Sequence, residues 1–167
     1  MMFFKFYLMP KYICFFIMIL FVILHLSYIY TPFVNFEWVY RQGSDYFITG
    51  DKRLLEQYFF GQANPLTYSF VVSLLVSLFD IDQFVIYRIP ALLGGFILLF
   101  VLSKHHNPLL VLIVTLNPLI WIYSGRAYSE MFSVGMMMLA LMTYRNGFVK
   151  GLLGAFAAII KYHSIVV

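Results

Sequence analysis

Charge is the scarcest property of this sequence. Asp, Glu, Lys and Arg make up 11% of its 167 residues, less than half the roughly 25% of soluble domains. With hydrophobic residues at 63%, an ordinary soluble domain is excluded as the account of the whole chain. Cysteine is nearly absent: the lone Cys14 excludes an internal disulfide and says little about compartment. There is no Asn-x-Ser/Thr acceptor, no glycine-rich phosphate-cradling loop and no Cys/His framework with metal-ligand spacing. The 11 Lys and Arg residues form no basic patch suited to nucleic acid, and no internal repeat stands out.

Apolar sequence fills the chain instead. Mean hydropathy is +0.89, and its spread over most of the length reads as an integral membrane protein with several spans. Residues 12–30, YICFFIMILFVILHLSYIY, carry no charge and match the ~20 residues a bilayer core requires. A cleavable signal peptide would have ~7–15 apolar residues and a small-x-small site. The run here is longer and ends LSYIYTPF, so it reads as an uncleaved first helix. Further apolar runs cover residues 66–79, 85–103, 108–123, 127–144 and 151–167.

The run at 66–79 is short for a span. Ser69, Ser73, Ser77 and Asp80 repeat at helical spacing and make one polar stripe, the pattern of a helix lying in the membrane interface; the alternative is a buried helix with small serines at a helix–helix contact. Charge supports that reading. With 66–79 flat on the outer surface, Lys5, Lys11, Lys104, Arg145 and Lys150 fall inside, and Glu37, Asp45, Asp51, Glu56, Asp80, Asp82 and Glu130 fall outside. If 66–79 spans, every later loop flips and the bias disappears. The expectation is an all-α, polytopic transmembrane bundle forming one membrane domain. It has five spans at about 12–30, 85–103, 108–123, 127–144 and 151–167, and a cytoplasmic N-terminus. One outer loop over 31–84 carries interfacial helices. An uncleaved span with outer-face chemistry suits a plasma or inner membrane. Gly151, Gly154, Ala155 and Ala158 suggest close helix packing in the last span, which stops in apolar sequence as though cut short.

The polar residues in such a chain require explanation. Glu37 and Asp45 stand early in the outer loop, as general base or metal ligand, or simply as solvated charges. Arg126 and Glu130, in GRAYSEMF, are an i, i+4 pair if the fourth span starts at that turn. Glu130 lies inside an apolar run, where a carboxylate is costly. Arg88 opens the second span and Lys161 lies in the fifth. Together with Arg126 they give three outer-face cations whose natural partner is an anionic lipid headgroup. His105 and His106 read as a cytoplasmic turn, and His25 as a hydrogen-bonded helix contact.

Five short motifs in order then resemble the amino-terminal part of GT-C membrane glycosyltransferases, of the protein O-mannosyltransferase and lipid A aminoarabinose transferase types. They are Thr49-Gly50-Asp51, Asn64-Pro65-Leu66-Thr67-Tyr68, Arg88-Ile89-Pro90-Ala91, Arg126-Ala127-Tyr128-Ser129-Glu130 and Ile160-Lys161-Tyr162. The family's acidic pair would fall near Asn35-Phe36, where only Glu37 is acidic, and family members are far longer.

The resemblance implies transfer of a sugar from a polyprenyl- or dolichyl-phosphate carrier to a hydroxyl of a protein, lipid or glycan at the outer face. Glu37, or second Asp45, would take the acceptor's proton. Glu130 would orient substrate or help hold a divalent metal where one is used. Lys161 and Arg126, with Arg88, would face the lipid phosphate. The alternatives are a small non-enzymatic membrane protein, such as an assembly subunit or carrier, and an inactive truncated remnant of a transferase.

Overall fold

Proline and glycine set where the helices break. The computed structural model describes residues 2–34, 37–61, 66–79, 84–104, 108–143 and 146–161. Among these there are nine helices and no strand. They are α1 (Met2–Ile29), α2 (Glu37–Thr49), α3 (Lys52–Gly61), α4 (Thr67–Phe79), α5 (Phe84–Ser103), α6 (Pro108–Thr115), α7 (Pro118–Gly125), α8 (Ser129–Met142) and α9 (Gly147–Ile160). Asn35-Phe36, Asn64-Pro65, the histidine pair at 105–106 and the end of the last run from Tyr162 lie outside the described residues.

Gly50 separates α2 from α3. At φ +73° it takes the left-handed conformation that a side chain disfavours. Asp51 Oδ1 then accepts the Arg53 backbone N–H at 3.0 Å and starts α3. The third expected span, 108–123, is not one helix. Pro118 has no N–H to donate and disfavours a helical Asn117 before it. Asn117 instead caps α7, its Oδ1 accepting the Leu119 N–H at 2.9 Å, and α6 and α7 meet at a 66° bend. The Trp121 indole N–H donates to the Thr115 carbonyl across the break.

The helix α5 is the hub, packed by α1, α4, α6, α7 and α8. Two glycines permit its closest approach. A Cβ on Gly135 would lie 2.5 Å from Gly94 Cα, and one on Gly94 would lie 2.2 Å from the Met131 carbonyl. The close small-residue contact expected in the last run falls here instead. Gly151 and Gly154 of α9 face open space, and α9 docks on α8 through Ala157, whose carbonyl accepts from Ser133 Oγ at 2.8 Å.

Among the described residues, α5 is the helix long and apolar enough to cross a membrane. Its 20 residues extend about 30 Å, the thickness of a bilayer's hydrocarbon core. α6 and α7 together would meet the same criterion but for their bend. The helices α8 and α9 have 14 residues each, and the expected interfacial segment is the 13-residue α4. Its Ser69 and Ser73 are buried, Ser69 Oγ donating to the Tyr40 carbonyl at 3.1 Å, so the stripe is a helix contact and Leu74 and Leu78 face outward.

Candidate functional site

A buried ion pair ties the start of α2 to α5. Arg88 and Glu37 are both 0% exposed. Arg88 Nε donates to Glu37 Oε1 and Nη2 to Oε2, each at 2.8 Å, the bidentate geometry of strong guanidinium–carboxylate pairs. The remaining Arg88 donors reach the chain that leaves α1: Nη1 bonds the Ile29 carbonyl at 2.9 Å and the Thr31 carbonyl at 2.7 Å, and Nη2 the Pro32 carbonyl at 3.1 Å. On the other side, Glu37 accepts the Ala127 N–H on Oε1 at 2.8 Å and the Val34 N–H on Oε2 at 2.9 Å. This clamp therefore fastens the end of α1, the start of α2, the first turns of α5 and the turn between α7 and α8.

Two charges could not be buried here without such complete pairing. Burial pushes the Glu37 carboxyl up, but the Arg88 hydrogen bonds, the Ala127 and Val34 N–H groups and the Arg88 charge outweigh it, leaving the pKa below its ordinary value. All four lone-pair directions of this carboxylate are taken. It is held ionised and closed to solvent.

Arg126 borders the clamp. The expected helical pair of Arg126 with Glu130 does not form. Arg126 ends α7 in an extended conformation, φ −125° and ψ 161°, so the two residues are not on one helix. Its Nη1 instead reaches Thr31 Oγ1 at 3.0 Å and Glu37 Oε2 at 3.5 Å. Its Nε and Nη2 have no hydrogen-bond partner among the described residues. Its side chain is 21% exposed and, with Trp121, Ile122 and Gly125, lines a cavity of about 140 Å³. Ligand pockets begin at ~300 Å³, so this one is too small to enclose a whole sugar. Behind it the His25 ring stacks on Trp121 at 4.4 Å and holds the Phe21 carbonyl at 2.7 Å.

Glu130 finds Lys161 instead. Lys161 Nζ donates to Glu130 Oε1 at 2.9 Å, joining the start of α8 to the end of α9. Each charge also suits the helix dipole at its own end. Ser129 Oγ lies 2.9 Å from Tyr40 Oη and donates, over 3.5 Å, to Glu130 Oε2. Burial raises the Tyr40 hydroxyl well above its ordinary pKa, so it stays protonated.

The stretch from Arg126 to Glu130 thus gathers Glu37, Arg88 and Lys161 around it. Asp45 is set apart. It is on α2 beyond the buried face of Glu37, Tyr40 and Ser44, with Arg41 Nε at 3.6 Å. Tyr40, Thr31 and Ser129 belong to the site and carried no charge to mark them in the sequence. Tyr40 is one helical turn from Glu37, and that spacing was the available signal. No group of three or more His, Cys, Asp or Glu side chains able to hold a metal occurs among the described residues. A lysine beside Glu130 would repel a cation, so these residues do not fit a metal. No family model matches the chain, and no curated protein or solved structure matches it.

Proposed function

We propose that the chain is a polytopic membrane protein that binds a lipid-carried phosphate at its outer face and acts as a glycosyltransferase, or as the amino-terminal part of one. The observation that carries this reading is the Arg126 guanidinium, held by the Glu37–Arg88 clamp with two nitrogens open beside a small cavity. Two guanidiniums against one carboxylate leave the clamp with one surplus positive charge, which favours an anion. The order of motifs in the sequence supplies the sugar-transfer part.

In this reading the acceptor hydroxyl oxygen attacks the anomeric carbon, and the bond from that carbon to the phosphate oxygen breaks. The proton passes to a carboxylate, and the lipid phosphate leaves with its charge offset by Arg126 and Lys161. Glu130 is 37% exposed and is the carboxylate at this seam that solvent can reach. It is assigned the proton in preference to the sealed Glu37 and the distant Asp45. Tyr40, through Ser129, fixes the direction of its second oxygen.

The sealing of Glu37 also supports a second reading, a carrier or subunit that binds the lipid phosphate without transferring its sugar. The full native product, extracted from membranes and given a labelled polyprenyl-phosphate hexose, separates the two. Arg126→Gln is expected to weaken donor retention by about 10- to 100-fold, the loss of a charged hydrogen bond. Retention with no sugar transfer to any hydroxyl acceptor supports the carrier. Undiminished retention in Arg126→Gln contradicts both.

A further inference from the structure

At the far end of α5 from the clamp, a second cleft lies between α5 and α1. Its volume is about 240 Å³, and it is framed by Lys11, Ser103 and Lys104 at the rim and by Phe15, Met18 and Phe100 on the wall. The two helices run antiparallel. The end of α1 meets the start of α5 through Arg88 and the Ile29 carbonyl, while the early part of α1 meets the end of α5 here.

The position of each group is informative. Phe15 is 59% exposed, and its ring is open to whatever surrounds the helices. Lys104 Nζ lies 4.6 Å from the centre of the Phe100 ring, so the ring holds the ammonium at the boundary of apolar wall and polar rim. Lys11, on α1, lines the same cleft. Ser103 Oγ donates to the Phe100 carbonyl at 2.7 Å. Among the described residues no carboxylate borders the cleft. Two cations over an aromatic and thioether wall match an anionic phosphate above acyl chains, and match neither a neutral headgroup nor an acidic peptide without an apolar tail.

We propose that the α1–α5 cleft binds the phosphodiester headgroup of an anionic phospholipid of the inner leaflet. Lys11 and Lys104 share the phosphate, and an acyl chain runs along Phe15, Met18 and Phe100. The proposal rests on the membrane reading of the chain and is independent of sugar transfer. It makes the basic end of α5 a specific lipid site, in addition to any general attraction of lysines to a charged surface.

The test is native mass spectrometry of the full chain in detergent, titrated separately with phosphatidylglycerol, phosphatidylcholine and inorganic phosphate. Wild type is expected to retain phosphatidylglycerol in preference to phosphatidylcholine. Lys11→Gln/Lys104→Gln is expected to retain it on the order of 30-fold less. Lys11→Arg/Lys104→Arg should keep it, and so should Lys150→Gln, which removes an exposed lysine of the same expected side elsewhere. Equal retention of both lipids, an unchanged double Gln variant, or an equal loss in Lys150→Gln would overturn the site. Displacement of the lipid by inorganic phosphate would overturn its assignment to a lipid. Recovery of the protein in the carbonate-soluble fraction would overturn the membrane reading itself, which is distinct from failure of the site in an inserted protein.

Discussion

Two carboxylate–cation pairs lie on either side of the same short turn, and they are built differently. Glu37–Arg88 is wholly buried, bidentate and closed by backbone groups from three segments. Glu130–Lys161 is a single 2.9 Å contact between side chains 37% and 12% exposed. A carboxylate paired with a cation therefore serves opposite ends. An ion pair with every lone pair occupied holds elements in register but cannot take a proton or meet a ligand. A pair with solvent on one side contributes little to stability and keeps a carboxylate available. Arg126 stands between the two, with one nitrogen in the clamp and two outside it.

The comparison breaks first at the clamp. Arg88→Met removes the bidentate partner of the buried Glu37, leaving it only the Arg126 contact at 3.5 Å and two backbone N–H groups, and should destabilise the protein by about 3–5 kcal/mol. Thermal unfolding in detergent checks this. Glu37→Leu/Arg88→Met, which buries no charge, should recover most of the loss. The pH dependence follows from the lowered pKa of Glu37. Its contribution is full above the ordinary value of 4.5 and is lost only as pH falls through the lower folded value. Unfolding curves that weaken between pH 7 and 5 would point to another group.

A smaller effect is expected where no charge is involved. Gly135→Val would force α8 away from Gly94 and cost about 1–3 kcal/mol of overpacking. Gly154→Val, which meets open space, serves as its control. If both variants unfold alike, helix propensity and not the α5–α8 contact is responsible.

The sequence exposed the charged members of the site because charge is conspicuous in so apolar a chain. Glu37, Arg88, Arg126, Glu130 and Lys161 are each identifiable on that ground, and the structure brings them around one turn. Their partners were not legible. The i, i+4 rule is local, and it paired Arg126 with Glu130 across a turn where the chain is extended. Asn117-Pro118 held the signal of the break in α6–α7, but the surrounding apolar run obscured it. Glycine patterning misled for a related reason: α9 has the denser small-residue stripe, yet only the fold decides which glycine faces another backbone, and that is Gly94 against Gly135. Asp45 and Glu37 looked alike as loop carboxylates. Which of them is sealed depends on the face of α2 that meets α5 and the turn before α8.

The most direct test of this division of labour is Glu130→Gln, measured for melting temperature and for sugar transfer in one membrane preparation of the native product. The pair is half-buried and singly bonded, so melting should fall well short of the loss in Arg88→Met, while transfer should fall by about 10²- to 10⁴-fold. A melting temperature that drops as far as that of Arg88→Met, or transfer that persists at the wild-type rate, would contradict the account.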